Sequence, residues 1–185
     1  MPRLSRRDLL IAGGTLMAAV PPGKYGGQAR AAPPPRPLSA LQVHPPTLPP
    51  PLRFVGPNGG VRRLRDEIGH GLVLNFWATW CPPCVAEMPA LAQLARALAG
   101  RDIRVLPVSV GNGGADVVRA FYDAHGITGL PVLLDVKPSA IYALGVDGVP
   151  LTLLINRAGR EVARMEGALR WDAPDTLARV VQLIG

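Results

Sequence analysis

The chain contains only two cysteines, and both lie in one short motif, Cys81-Pro82-Pro83-Cys84. An apolar run at 72–74 precedes the motif, and an amphipathic segment begins with it. This pattern predicts a buried strand that leads into a helix, with two thiols at the start of the helix. Free backbone N–H groups and the positive end of the helix dipole favour a thiolate there. Such a pair is typical of a redox-active disulfide.

Within the motif, we expect Cys81 to be the N-cap of the helix and the attacking thiolate. Pro82 and Pro83 then occupy the first two helical positions, where a missing N–H costs no helical hydrogen bond. Because the first free amide is that of Cys84, the thiolate of Cys81 should be favoured, but not to an extreme. Cys84, one turn further in, is expected to resolve the mixed disulfide.

Metal binding is the alternative use of a Cys-x-x-Cys pair. Structural zinc usually needs four protein ligands, whereas the three histidines are scattered and there is no second cysteine pair. Cu(I) is a second alternative, since soft thiolates bind it. We expect no metal and no cofactor beyond the redox-active disulfide Cys81–Cys84.

The first 31 residues follow the order of an export signal. Ser5-Arg6-Arg7-Asp8-Leu9-Leu10 matches a twin-arginine pattern, an apolar stretch occupies 9–20, and Ala29-Arg30-Ala31 is a small-x-small cleavage site. The apolar stretch is shorter than the ~20 residues that span a bilayer. We therefore expect export to the periplasm by the twin-arginine route, with cleavage near Ala31; an uncleaved anchor is the alternative.

Charge gives little support to nucleic-acid binding. The formal net charge of +7 includes five bases and one acid within 1–31, so cleavage leaves +3. No basic run with interleaved aromatic residues occurs in the rest of the chain.

Residues 32–51 are rich in proline, with nine of them in twenty positions. Because proline lacks an N–H and has a fixed φ, we expect an extended, semi-rigid linker that neither pairs in a sheet nor continues a helix. A docking site for a partner is the alternative function of this segment.

Hydrophobic periodicity predicts one α/β domain over 52–185. A hairpin with strands at 52–55 and 61–64 comes first, and a buried strand at 72–78 then leads into a helix at 82–98. The predicted elements that follow are a strand at 103–110, helix 116–125, strand 132–134, helix 139–144, strands 152–156 and 161–165, and a last helix from near Asp172. This order indicates a mixed sheet covered by helices on both faces.

The motif and its flanks resemble the TlpA/ResA group of exported thiol-disulfide oxidoreductases, a branch of the thioredoxin superfamily. The resemblance rests on Trp80 to Cys84, on Asn-Phe-Trp-Ala-Thr before it and on Glu87-Met88-Pro89 after it, and it extends from about Leu52 to the C-terminus. It implies a thioredoxin-like fold and protein clients whose disulfides are exchanged.

The resemblance further implies a reductant that acts in cytochrome c biogenesis or on copper-site cysteines. Such a reductant needs a membrane electron donor, because the compartment is oxidising. An oxidant or isomerase is one alternative, and a copper-handling or redox-sensing module is another. We expect the protein to be a monomer.

Glu87 lies three residues after Cys84 on the same helix face. A half-buried carboxylate there would have a raised pKa and could relay the proton of thiol exchange, whereas a solvated glutamate is the alternative. The ResA-type pattern has an acid at this spot. Asn75 replaces the buried aspartate of classical thioredoxins, which favours Glu87 as its substitute.

The remaining predicted site residues concern client binding. The resemblance implies a cis Val149–Pro150 bond against the dithiol, with the Val149 backbone free to pair with a client strand; a trans proline that opens a strand is the alternative. Trp80, with Pro82 and Pro83, is expected to form an exposed docking rim. Trp77 and Trp171 are assigned to packing.

Overall fold

A single sheet of eight strands organises the protein in the computed structural model, which describes residues 32–111, 113–135 and 139–185. The predicted export signal, 1–31, lies outside the described residues. The strands are β1 (Gln42–Thr47), β2 (Arg53–Val55), β3 (Val61–Arg63), β4 (Gly71–Trp77), β5 (Ile103–Val110), β6 (Leu133–Asp135), β7 (Leu151–Ile155) and β8 (Glu161–Glu166). The helices are α1 (Pro82–Ala97), α2 (Gly114–Ala124), α3 (Ser139–Ala143) and α4 (Pro174–Ile184).

The strand order is β1-β8-β7-β4-β5-β6-β2-β3. Strands β4, β5 and β6 are parallel, while the other pairings are antiparallel, which confirms the predicted mixed sheet and thioredoxin-like α/β fold. All seven residues of β4 are buried, so both faces at the centre of the sheet are covered. None of the helices in the described part of the chain has the length and apolarity needed to cross a membrane.

The end of α4 packs closely over the start of β4. A Cβ atom at Gly71 would collide with the backbone oxygen of Ile184. Glycine therefore stands at Gly71 because helix and strand backbones meet there. This contact places α4 against the strand that leads to the dithiol.

The interpretation of 32–51 as an unpaired linker is wrong. Within it, β1 forms the edge strand beside β8, with Gln42 opposite Arg164 and Val43 opposite Ala163. The register shifts between Val43 and Thr47, the interval that contains both prolines of the strand. Proline is tolerated on an edge strand and at a bulge because no ladder hydrogen bond is required of its nitrogen. The folded domain consequently begins before Leu52.

The segment before β1 is also attached to the domain. The N–H of Arg36 donates to the carbonyl oxygen of Ala168 at 2.7 Å, and Arg36 forms an isolated bridge with Leu169. The predicted start of the domain at Leu52 therefore omits contacts that begin at least as early as Arg36.

The predicted hairpin is confirmed as β2 and β3, and it joins the sheet through β6. Behind it, buried Glu67 accepts hydrogen bonds from Arg62 and, at 2.7 Å, from Arg104 of β5. Burial opposes ionisation of Glu67, but the two guanidinium groups outweigh it and lower its pKa. This ion cluster ties the hairpin to the central sheet.

Candidate active site

The dithiol lies where β4 ends and α1 begins. Cys81 is the N-cap of α1, Pro82 and Pro83 fill the first two helical positions, and the N–H of Cys84 donates to Cys81 Sγ at 3.3 Å. The two cysteines form a disulfide with their Cα atoms 5.3 Å apart. This arrangement confirms the predicted cap geometry. Because Pro82 and Pro83 have no N–H, the amide of Cys84 is the first in the helix that can donate to Cys81 Sγ.

The two sulfur-bearing residues differ in burial. Cys81 is 5% exposed, whereas Cys84 is 0% exposed. Trp80, the residue before Cys81, is 71% exposed. Pro82 is also exposed and Pro83 half-buried, so the predicted rim lies at the surface beside Cys81. A client sulfur can therefore approach Cys81 more readily than Cys84.

The loop before β7 closes over the same sulfur. The Val149–Pro150 peptide bond is cis, as predicted, and the carbonyl oxygen of Val149 lies 3.5 Å from Cys81 Sγ. The carbonyl of buried Pro150 accepts a hydrogen bond from the N–H of Gly167 at 2.8 Å. The end of β8 thus fixes the loop that carries Val149.

Glu87 is fully buried, at 3% exposure, and not half-buried as predicted. Its Oε1 accepts from Asn75 Nδ2 at 3.0 Å, and its Oε2 accepts from Trp171 Nε1 at 3.0 Å and from the N–H of Leu169 at 3.3 Å. Burial raises the pKa of Glu87 to about 7, against the lowering effect of these three hydrogen bonds. A carboxyl group with such a pKa can gain and lose a proton near neutrality.

Asn75 connects Glu87 to β7. It is directly opposite Thr152 in the β4–β7 ladder, and its Nδ2 donates to Thr152 Oγ1 at 2.9 Å as well as to Glu87. Both side chains are buried. The family resemblance singled out Asn75, as the residue that replaces the buried aspartate of classical thioredoxins, but nothing in the sequence pointed to Thr152.

Trp171 does more than pack. Both Trp77 and Trp171 are buried, as predicted, but the indole N–H of Trp171 is also a hydrogen-bond donor to Glu87. A buried tryptophan usually finds a partner for its N–H, and this rule is the sequence signal that could have raised the question. Which acceptor it finds follows only from the tertiary structure.

A cleft of about 200 Å³ leads from solvent toward Glu87. Its walls come from α1, from the loop after β8 and from the proline-rich N-terminal segment, and its lining residues include Pro33, Pro83, Glu87, Leu169 and Arg170. Glu87 is therefore a buried residue that also lines a cleft.

Comparison with known proteins finds relatives in both sequence and structure. A protein-family model described as the AhpC/TSA family matches residues 50–163. The chain is 36% identical over 102 residues to the thiol-disulfide oxidoreductase ResA of Geobacillus thermodenitrificans (strain NG80-2), covering 55% of this chain and 58% of the relative. It is 34% identical over 112 residues to ResA of Bacillus subtilis (strain 168), covering 60% and 62%.

Among solved structures, a thiol:disulfide interchange protein of the thioredoxin family from Chlorobium tepidum TLS superposes with a TM-score of 0.62 at 26% identity. That match covers 77% of this chain and 99% of the other. The chain spans about three fifths of the length of the two ResA relatives. These findings confirm the predicted TlpA/ResA-type resemblance and the thioredoxin-like fold. Since the family model covers more than half of the chain, the protein belongs to the AhpC/TSA family.

Proposed function

We propose that the protein is a thiol-disulfide oxidoreductase that exchanges disulfides with protein clients through Cys81 and Cys84. The observation that carries the proposal is the cap geometry: Cys81 Sγ receives the first free amide of α1, beside exposed Trp80 and the carbonyl of Val149. The ResA relatives, which are named for this activity, support it.

In the reducing direction, the thiolate of Cys81 attacks one sulfur of a client disulfide. A mixed disulfide forms, and the other client sulfur leaves as a thiolate. Cys84 then loses its proton and attacks Cys81 Sγ, which releases the second client thiolate and re-forms the Cys81–Cys84 disulfide. The client gains two electrons, and two protons convert its thiolates to thiols.

Glu87 is the proposed acceptor for the proton of Cys84. It is three residues further along α1, it is buried, and its pKa is about 7, so it can take a proton from a thiol and pass it on through the cleft. No cofactor enters this scheme, since the two cysteines themselves hold the electron pair.

Val149 and the rim are proposed to hold the client. The Val149 carbonyl lies beside Cys81 Sγ, so an extended client segment that pairs with this backbone would place its own cysteine next to the attacking sulfur. Trp80, Pro82 and Pro83 offer apolar and aromatic surface to the same segment.

The physiological direction is proposed to be reduction, with apocytochrome c or copper-site cysteines as clients and a membrane thiol donor to supply electrons. We propose that the mature protein works as a monomer in the periplasm after twin-arginine export. The proposal for the compartment rests on the sequence pattern at 5–10 and 29–31.

The decisive experiment compares Cys81→Ser with Cys84→Ser. We expect Cys84→Ser to accumulate mixed disulfides with a model client and to lose turnover by at least about a hundredfold, because the adduct cannot resolve. Cys81→Ser should form no adduct. Adducts on Cys84 alone would reverse the assignment, and no adduct on either cysteine would contradict the proposed function.

The measured reduction potential of the Cys81–Cys84 disulfide then distinguishes a protein that reduces its clients from one that oxidises them. A value near the thioredoxin end of the range, about −270 mV, agrees with a reductant, whereas one near −120 mV indicates an oxidant. Anaerobic Cu(I) titration of the reduced protein tests the copper alternative.

A further inference from the structure

The hydrogen-bond partners of Glu87 are all donors in the arrangement described. Oε2 receives the backbone N–H of Leu169 and the indole N–H of Trp171. Neither group can ever accept a hydrogen bond. Oε1 receives Asn75 Nδ2. This set suits an ionised carboxylate, which only accepts.

A protonated Glu87 needs a different arrangement. Its O–H must lie on Oε1, because both donors at Oε2 are fixed as donors. The group that faces Oε1 is the side-chain amide of Asn75, which donates through Nδ2. The carboxyl O–H of Glu87 and this N–H would then point at each other with no acceptor between them. Asn75 also carries an acceptor, Oδ1, which is buried and has no partner among the described residues.

Thr152 can follow a change in Asn75. Its hydroxyl accepts from Asn75 Nδ2 at 2.9 Å, but a hydroxyl can equally donate after rotation about the C–O bond. A half-turn of the Asn75 amide would bring Oδ1 to both neighbours. Oδ1 would then accept from the carboxyl O–H of Glu87 and from the hydroxyl of Thr152.

We propose that Asn75 and Thr152 are positioning residues whose hydrogen bonds reverse together each time Glu87 gains or loses its proton. The inference rests on the proposed function, in which Glu87 cycles between the two states. Neither residue touches the sulfur atoms in this scheme. Their role is to give the buried carboxyl group a partner on Oε1 in both states, so that it can exchange a proton without leaving the core.

The surroundings favour a two-state response. Turning the amide places Nδ2 where Oδ1 lies, a position with no donor or acceptor partner among the described residues, so this arrangement is favoured only when Glu87 holds a proton. Four other residues near Glu87 can affect its protonation. They are Cys84 on α1, Trp171, and the charged residues Arg170 and Asp172 that line the cleft. In the described part of the chain, no charged side chain forms an ion pair with Glu87.

Glu87→Gln provides a permanent mimic of the protonated state. Its oxygen must still accept from Leu169 and Trp171, so its NH₂ group faces Asn75 as a donor. We expect the Asn75 amide of this variant to be turned over at every pH. The measurement is NMR of the reduced full chain, through the nuclear Overhauser effects between the Asn75 Nδ2 protons and the Thr152 side chain.

In the unsubstituted protein these effects should be present at pH 9 and lost on acidification, in step with the side-chain carbon shift of Glu87. In Glu87→Gln they should be absent from pH 5 to pH 9. If they persist in Glu87→Gln, the amide does not turn and the inference is overturned, whether or not Glu87 titrates in this range.

Thr152→Ser and Thr152→Val form a matched pair for the hydroxyl. Serine keeps the reversible group and should leave the Glu87 titration unchanged. Valine has the same shape but leaves one Nδ2 proton without an acceptor in the ionised state, so the ratio of protonated to ionised Glu87 at a fixed pH should rise about threefold, a shift of about half a pKa unit. An unchanged or lower ratio in Thr152→Val would overturn the inference.

The two proposals fail separately. A protein that forms mixed disulfides through Cys81 but keeps a fixed Asn75 amide contradicts only this inference. A protein that forms no mixed disulfide contradicts the proposed function, even if the amide turns over with Glu87.

Discussion

Glu87 shows how one residue can be stabilised for ionisation and still remain easy to protonate. Three donors favour its carboxylate, while nearly complete exclusion from water favours its neutral form. Burial is the stronger effect, and it raises the pKa of Glu87 to about 7. At Cys81, the two prolines limit how strongly the start of the helix favours a thiolate, because they leave only the amide of Cys84 to donate to the sulfur.

A pH-dependent stability follows from Glu87. Its pKa is about 7 in the folded protein and about 4.5 in the unfolded chain, so the folded state binds the proton more tightly. The contribution of this tighter proton binding to the free energy of unfolding is fully present below pH 4.5 and is lost as the pH rises through 7. The total loss is about 3 kcal/mol. We expect urea unfolding of the oxidised protein to show this loss between pH 4 and pH 8.

Glu87→Gln is the matched control, since it keeps the size of the side chain and cannot ionise. Other groups, including Glu67 with its lowered pKa, contribute equally to both proteins and cancel in the difference. The difference in unfolding free energy between the unsubstituted protein and Glu87→Gln should therefore change across pH 4.5–7, because only the unsubstituted protein loses the contribution of Glu87. Parallel curves would mean that Glu87 titrates alike in the folded and unfolded states.

Among the elements, β1 is the strand that was not predicted, because its segment is rich in proline. It covers the edge of β8, where His44 lies 3.0 Å from Glu161, a buried carboxylate that is also paired with Arg164. Leu41, just before the strand, belongs to the hydrophobic core. A segment of this kind contributes to stability and not only to spacing.

Two truncations of the mature chain test this role of β1. Removal of 32–47 should destabilise the protein by about 3 kcal/mol, from a few ladder hydrogen bonds at about 1 kcal/mol each and the burial of Leu41. Hydrogen exchange in β8 should become faster. Removal of 32–37 alone keeps β1 and should leave β8 protected. If the longer truncation changes neither stability nor exchange, the segment is a linker after all.

For the whole molecule, we expect the fold not to depend on the disulfide. The cysteines are three residues apart, so their bond closes a very small loop and restricts the unfolded chain little. The core instead comes from a cluster of buried side chains with members in six of the eight strands and in each of the four helices described above. The domain can therefore hold its structure in both redox states.

Oxidised and reduced protein should consequently differ in unfolding free energy by no more than about 2 kcal/mol, the chain-entropy estimate for so short a loop. Urea unfolding with and without reductant measures this difference, and the Cys81→Ser/Cys84→Ser double variant should behave like the reduced form. A difference above about 4 kcal/mol would show that reduction rearranges the fold beyond the loop.

Apart from β1, the sequence by itself determined the elements and the dithiol. Periodicity gave the strands and helices to within a few residues because burial on one face repeats locally along the chain. The cap at Cys81 also followed from local order, since Pro82 and Pro83 fix which amide comes first. The cis bond before Pro150 was predicted from the family resemblance, not from its neighbours in the chain.

Only the tertiary structure decided which distant groups meet. Trp171 lies 84 residues after Glu87 and Thr152 lies 77 after Asn75, and no local pattern records such pairings. The same holds for β1, whose prolines argue against a strand until its place at the edge of the sheet removes the need for their N–H groups. Local chemistry specifies what a segment can do, whereas the partners that satisfy its polar groups are fixed when the chain closes around them.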